Sequence, residues 1–283
     1  MLTSCILFEK RHKLPEASLG KDLLLAKIMQ INSILGGLII PHLCAAQMYA
    51  NPCMPPFVGF LLLKWGDTCY ASGTFGSILL TLGIILNTYL WYGIISTASW
   101  VIFNTGYVSV KCLDHYLRQA REMLRKPENV CPKRDIQNAF QFYRQIQIIG
   151  VIFNEENQSL SQPTLMMGVV MTTTSCLYTC IKLHRYVPMP GFLLFPISLA
   201  DSFLIMFNAK VASGVLAESK RCLEVARNNS GGGGMPRSLY RRMVKAMGRV
   251  MIRFGSTNYF DQQTPFNLIN HALSASVSAM LLN

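Results

Sequence analysis

Basic residues in this chain occur in three clusters that are separated by long apolar segments. Of the 26 Lys and Arg residues, 23 lie in residues 1–27, 111–144 and 210–253, which hold five, eight and ten of them. Lys and Arg close to the ends of membrane helices are retained on the cytoplasmic side. The net charge of +12 therefore predicts a topology with all three clusters inside. It argues against nucleic acid as a partner, because no single soluble module gathers the charge.

Three uncharged segments are long enough to cross a bilayer. No Asp, Glu, Lys or Arg occurs between Asp67 and Lys111, between Glu156 and Lys182, or after Asp261. A helix needs about 20 residues to cross a hydrocarbon core that is about 30 Å thick. The sequence therefore predicts an all-α fold, a multi-pass membrane helical bundle of about five spans with cytoplasmic helical extensions.

The charge pattern also gives the boundaries of this predicted organisation. The segments are a cytoplasmic N-terminal segment (1–28), span one (29–49), an outer loop (50–74), span two (75–108), cytoplasmic amphipathic helices (109–160), span three (161–183), an outer loop (184–190), span four (191–210), a cytoplasmic helical extension with a glycine linker and a basic helix (211–260), and span five (261–283). We expect a plasma-membrane protein with a cytoplasmic N-terminus and an outside C-terminus.

The inward-facing connections carry apolar residues at helical spacing. One stripe consists of Leu113, Leu117, Ala120 and Leu124, and a second of Ile136, Phe140, Tyr143 and Ile146. An amphipathic helix in water must bury its apolar face. The partner of these faces is another such helix, a second subunit or the bilayer interface.

A further amphipathic helix is predicted after the four glycines Gly231–Gly234. Its apolar face would run from Leu239 to Phe254, opposite a basic face made of Arg242, Lys245, Arg249 and Arg253. A basic face next to the inner leaflet binds anionic lipid headgroups. The alternative is a solvated face whose position follows from topology alone.

The last predicted span has one polar face. Its members are Asn267, Asn270, His271, Ser274 and Ser278, which follow helical spacing. Polar residues inside a membrane are costly and face a cavity or the interior of the bundle. The face is interpreted either as a pore lining built from several subunits or as hydrogen-bonded packing between helices.

Asp201 is the one carboxylate that falls near the middle of a predicted span, whereas Asp261 stands at the first residue of span five. A carboxylate at that depth is neutral or paired. It would bind a cation or a ligand amine, or it would hydrogen-bond to a neighbouring helix.

The sequence nominates no metal, cofactor or catalytic site. Its nine cysteines form no CxxC pair, and no phosphate-binding glycine loop or Ser–His–Asp grouping occurs. Cys53 and Cys69 both fall in a predicted outer loop, where the compartment permits a disulfide. We therefore expect no enzyme, with Cys53–Cys69 as a candidate disulfide.

Taken together, these features resemble the arthropod gustatory and odorant receptor families. The resemblance is architectural and covers most of the chain, including the short outer turn Val187–Phe192. It implies a seven-span receptor that lacks the first two spans here, assembles as a homo- or hetero-oligomer, a tetramer in a channel, and lines a cation pore with its last helix. The family's Thr-Tyr…Gln-Phe signature is absent, because this chain reads Ala275-Ser276-Val277-Ser278-Ala279-Met280 there.

The resemblance further implies a pocket for a small organic ligand that opens outward among spans one, two and four. Its candidate lining residues are His42, Met48, Tyr49, Tyr89, Trp91, Tyr92 and Phe195. The function predicted first is a chemosensory ligand-gated cation channel subunit. The alternatives are a non-conducting membrane scaffold or accessory subunit, and a membrane enzyme or transporter that uses Asp201.

Overall fold

The chain forms a helical membrane bundle. A computed structural model describes residues 20–51, 64–65, 68–69, 74–125, 133–185, 187, 189, 191–229 and 236–282. The chain divides into two compact units. The first contains Asn104–Gly168 and Met206–Ile269, and the second contains Lys21–Phe103, Val169–Ile205 and Asn270–Asn283.

Helices make up nearly all of the described residues. They are α1 (Gly20–Ala50), α2 (Thr74–Val101), α3 (Ser109–Arg125), α4 (Lys133–Asn157), α5 (Ser161–Lys182), α6 (Leu194–Asn228), α7 (Arg237–Ala246) and α8 (Thr264–Leu281). A π-helical segment, Ile102–Val108, joins α2 to α3, and a 3-10 turn, Gly191–Leu193, precedes α6. Two antiparallel hairpins pair β1 (Lys64–Trp65) with β2 (Thr68–Cys69) and β3 (Arg253–Phe254) with β4 (Asn258–Tyr259).

Two helices continue well beyond the length that a bilayer requires. Residues 74–125 are helical throughout, and α6 runs on to Asn228. This confirms the prediction that helical extensions follow spans two and four, because the apolar pattern continues past the first charged residues.

Three helices in the described part of the chain are long and apolar enough to cross a membrane. They are Gly76–Trp100, Ser161–Lys182 and Gly191–Asn228, and Ile34–Ala50 is a shorter apolar helix. Helix α8 is not among them, and the polar residues along its face lower its hydropathy. The large apolar side chains of α2 point outward, with Ile78, Leu82 and Ile85 each more than half exposed. Such a surface requires lipid, so the chain is a membrane protein that contacts the bilayer.

The first unit has a core like that of a water-soluble helical protein. Both stripes of the inward connections enter it: Leu113, Leu117, Ala120, Leu124, Phe140, Tyr143 and Ile146 are buried, and Ile136 packs against them. Helices α3 and α4 lie side by side. The amphipathic faces therefore pack against one another, the first of the three alternatives that the sequence left open.

The helix predicted to run from Leu239 to Phe254 is shorter than expected. Helix α7 ends at Ala246, and Met247 is already extended. Residues 247–252 belong to no helix or strand and lead into the β3–β4 hairpin, whose turn includes Gly255 at φ 69°. We call them the extended segment, after the conformation of Met247 at their start. Gly150 of α4 lets this segment approach closely, since a Cβ atom there would lie 3.1 Å from Val250 Cγ1.

Side chains from α4 and α6 replace a partner strand for the extended segment. The contacts are Gln147 Nε2 to Gly248 O (2.7 Å), Tyr143 Oη to Gly248 O (3.0 Å), Val250 N to Ser219 Oγ (2.8 Å), Asn154 Nδ2 to Met251 O (2.9 Å) and Arg253 N to Asn154 Oδ1 (2.9 Å). Buried backbone groups must find partners. Because these side chains supply them, the segment need not be helical.

Candidate functional site

Helix α8 begins at a well-formed polar cap. Asp261 Oδ1 accepts hydrogen bonds from the backbone N–H of Gln263 at 3.0 Å and of Thr264 at 2.8 Å, and from Thr264 Oγ1 at 2.7 Å. A carboxylate at this position satisfies donors that have no partner within the helix and interacts favourably with the helix dipole. The cap therefore fixes where the helix starts, and with it the direction of each face.

The five polar residues predicted on α8 are all exposed. Asn267, Asn270, His271, Ser274 and Ser278 lie on one side of the helix, as their spacing requires. An apolar strip beside them, with Leu273 and Val277, is exposed as well. Two adjoining faces of α8 are therefore available to other subunits, to lipid or to water.

Small residues form the edge of α8 that packs inside the chain. Ala272 and Ser276 are buried, and Thr174 Oγ1 of α5 donates to Ala272 O at 3.4 Å. Near the end of the helix, Lys182 Nζ of α5 donates to Met280 O at 3.1 Å. Small residues permit close helix packing in membranes, so α5 holds α8 by this edge and leaves the polar face outside.

The carboxylate of Asp201 faces helix α1. Its Oδ2 lies 3.4 Å from the point that a Cβ atom would occupy on Gly36, and Asp201 is half-buried. The missing side chain of Gly36 gives the carboxylate room between the helices. This places Asp201 at a contact between α6 and α1.

The residues predicted to line a ligand pocket fall into four groups, the last of which is Tyr92 alone. Met48 is fully buried and forms a small cluster with Cys44, against which Trp91 and Leu194 pack. This cluster joins α1, α2 and α6, the three helices from which the pocket was expected. Tyr49, Tyr89 and His42 point outward, and His42 Nδ1 donates to Leu38 O within its own helix at 2.6 Å. Phe195 is half-buried.

Tyr92 lines a separate groove between α1 and α2. The groove has a volume of about 310 Å³, and Gln30, Ile34, Ser96 and Trp100 also line it. Its mixed lining of aromatic, aliphatic and hydroxyl groups is typical of small-molecule sites. Sequence reasoning missed Gln30, Ser96 and Trp100 at this groove, although helical spacing from Tyr92 to Ser96 and Trp100 would have indicated a common face.

The four residues of the predicted basic face do not lie on one helix. Only Arg242 and Lys245 lie on α7; Arg249 and Arg253 lie in the extended segment and line a groove of about 290 Å³ against α4. The prediction of one helical face is therefore wrong, because the helix ends at Ala246. Lys245 instead lines a groove with Arg227, Arg237 and Arg241.

The candidate disulfide cannot be placed, since Cys53 lies outside the described residues and only the backbone of Cys69 is described. Among the cysteines whose side chains are described, Cys44, Cys176, Cys180 and Cys222 are free thiols. Within the described ranges, no group of three or more His, Cys, Asp or Glu side chains is placed to hold a metal ion.

These observations define a class of protein. It is a membrane helical bundle with helical extensions, and its last helix exposes a polar face. No family model matches the chain, and no curated protein resembles it in sequence. Its structure is similar to that of the insect olfactory receptor OR5 from Machilis hrabei, solved in complex with eugenol, with a TM-score of 0.53 and 16% identity. The match covers 100% of this chain and 69% of the receptor. The chain therefore has an odorant-receptor-like fold.

Proposed function

We propose that this chain is a subunit of a chemosensory, ligand-gated cation channel that recognises small organic molecules and is related to the arthropod gustatory and odorant receptors. The observation that carries the proposal is the exposed polar face of α8 within an odorant-receptor-like fold. The chain would lie in the plasma membrane with its N-terminus inside and its C-terminus outside, as the distribution of basic residues predicts.

The polar face of α8 is the proposed lining of the ion path. Amide and hydroxyl oxygens at Asn267, Asn270 and Ser274 would stabilise a partly hydrated cation through neutral dipoles. The edge of α8 with Ala272 and Ser276 is already buried against α5. Symmetric copies around an axis would place the free polar faces toward one another, which supports an oligomer, proposed as a tetramer.

The proposed ligand site lies where α1, α2 and α6 converge around Met48 and Trp91. Met48, Trp91 and Leu194 already form one apolar cluster there. A ligand opens a channel only if it binds the open state more tightly than the closed state. A cluster that joins three helices can couple binding to their separation, because an inserted ligand favours the more widely spaced arrangement.

Current through the full chain tests the proposed pore. Asn270 and Ser274 would be replaced together by Leu, and currents and surface expression would be recorded during application of small organic ligands, beginning with eugenol. We expect current to disappear while surface expression stays the same, because two apolar side chains remove the polar stabilisation of the cation. Val277→Leu, which adds one methylene to the neighbouring exposed face, is the matched control and should leave the current near its original size.

Assembly state separates this proposal from the scaffold alternative. A symmetric tetramer with α8 at its axis supports the channel. A monomer, or a complex that buries α8 against an unrelated partner and carries no ligand-dependent current, would favour a non-conducting scaffold whose working surface is the first unit.

A further inference from the structure

One cavity in the first unit is lined by charged residues that, in the part of the chain the structure describes, are all basic. It lies between the end of α6 and helix α7 and has a volume of about 410 Å³. Arg227, Arg237, Arg241 and Lys245 line it, and no Asp or Glu of the described residues does. We call it the basic groove. Its volume falls in the range of small-ligand pockets, about 300–1,000 Å³.

The buried face of α7 sets the direction of the basic side chains. Tyr240 Oη donates to Ala226 O at 2.7 Å, and the Tyr240 ring packs edge-on against Phe140 with centroids 5.5 Å apart. Arg237, Arg241 and Lys245 follow at intervals of four residues and so share one face of the helix. Because Tyr240 ties α7 to the end of α6, this face stands beside Arg227.

The groove concentrates positive charge that no ion pair among the described residues neutralises. In the part of the chain that the structure describes, none of the four basic side chains forms an ion pair within 4.0 Å. No side chain caps the start of α7, so its first backbone N–H groups add partial positive charge. Like charges held together destabilise the fold, and a bound anion offsets that cost.

We propose that the basic groove binds a soluble ligand that carries several phosphate groups. Guanidinium groups match phosphate oxygens with paired N–H donors, which makes arginine the preferred partner of phosphate. Three arginines and a lysine around one cavity fit several phosphates better than a single carboxylate. The basic groove shares no residue with the proposed pore or the proposed ligand pocket, so binding there does not depend on channel activity.

The phosphate could belong to a soluble molecule or to a lipid headgroup, and the position of the groove favours the soluble source. Span four is predicted to end at residue 210, and Arg227 lies 17 residues further along α6. At about 1.5 Å per helical residue, this separation is about 25 Å. This separation along the helix from the predicted end of span four favours a soluble phosphate over a lipid headgroup.

The test uses the purified full chain and two phosphate probes. Inositol trisphosphate is titrated by calorimetry into protein in detergent, and phosphatidylcholine vesicles with or without phosphatidylinositol bisphosphate are presented separately. We expect saturable binding of inositol trisphosphate. Arg227→Gln and Arg241→Gln should each weaken it about tenfold, the typical loss of one charge-assisted hydrogen bond.

Arg242→Gln is the matched control, because it removes one positive charge from the next residue of α7 without touching the groove. Its affinity should stay within about twofold of the parent. Binding only to the phosphoinositide vesicles, with the same dependence on Arg227 and Arg241, would retain the phosphate site and overturn its soluble source. The proposal would be overturned if neither probe bound saturably. It would also be overturned if Arg242→Gln lost as much affinity as Arg227→Gln and Arg241→Gln.

Discussion

The side-chain amide of Asn154 pairs with the backbone of Met251 as a neighbouring strand would. Its Nδ2 donates to Met251 O at 2.9 Å, while its Oδ1 accepts from the backbone N–H of Arg253 at 2.9 Å. A single residue of α4 therefore satisfies two backbone groups of the extended segment. This contact links the basic segment after α7 to the core of the first unit.

Replacing Asn154 with Ala should destabilise the first unit by about 2 kcal/mol, because two hydrogen bonds are lost at about 1 kcal/mol each. Asn154→Asp keeps the acceptor for the Arg253 N–H but sets a carboxylate oxygen against Met251 O, so it should not restore the stability of the parent. Thermal unfolding of the full chain in detergent, followed by circular dichroism, measures the change. Gln141→Ala removes an exposed amide from the same helix and should leave the melting temperature unchanged. An equal effect of the two alanine variants would show that the amide contacts contribute nothing.

Tyr143→Phe should destabilise the same segment by about 1 kcal/mol. The hydroxyl lies 2.9 Å from Ser219 Oγ and donates to Gly248 O at 3.0 Å, so its loss removes the acceptor of the Ser219 hydroxyl. Tyr259→Phe is the matched control, because Tyr259 is 46% exposed. Denaturant unfolding of both variants tests the difference, and a loss in Tyr259→Phe as large as that in Tyr143→Phe would contradict it.

The same tyrosine should give the protein an alkaline loss of stability. Burial raises the pKa of Tyr143 from 10.0 to about 12. In the unfolded chain the phenol titrates near pH 10. Between about pH 10 and 12 the unfolded chain therefore releases a proton that the folded protein keeps, and stability falls as pH rises. The difference in stability between the parent and Tyr143→Phe should narrow across this range; a constant difference would exclude Tyr143 as its source.

Glu218 is a buried carboxylate that two arginines approach from different sides. Arg121 of α3 lies 2.5 Å from it and is mostly buried, whereas Arg221 lies 3.2 Å away and is 62% exposed. Arg121→Met should therefore destabilise the first unit by about 2 kcal/mol, because it leaves a buried charge with one weak partner. Arg221→Met should cost less than about 0.5 kcal/mol, as an exposed pair does. Equal melting temperatures for the two variants would show that the more buried Arg121–Glu218 pair contributes no more stability than the exposed Arg221–Glu218 pair.

The parts of the fold that sequence reasoning predicted are those with a strong periodic signal. Leu113 and Leu117 recur at helical spacing, and both are buried. The remaining parts of the fold depend on tertiary contacts, which the periodicity of the sequence does not show. The spacing from Leu239 to Phe254 also fits a helix, but Ser219 and Asn154, remote in sequence, hold its second half extended.

The candidate site shows the same division. Spacing along α8 predicted that Asn270 and Ser274 share one face of the helix, and both residues are exposed. The basic groove could not be predicted from the sequence. Arg227 and Arg241 line one cavity only because Tyr240 binds α7 to the end of α6. A periodic pattern within one helix is visible in a sequence, whereas a cavity between two helices depends on how they pack.

Lys182 should control the mobility of the last turn of α8. Its Nζ donates to Met280 O at 3.1 Å and lies 6.0 Å from the Tyr178 ring, so it satisfies a carbonyl that the end of a helix leaves unpaired. Lys182→Met retains the apolar stem and removes the donor. Loss of about 1 kcal/mol of local stability should speed hydrogen exchange of the amides near Met280 about fivefold, as read by mass spectrometry. Arg185→Met removes a nearby exposed cation and should leave exchange unchanged. Unchanged exchange in Lys182→Met would mean that the buried edge with Ala272 and Ser276 holds α8 without the lysine.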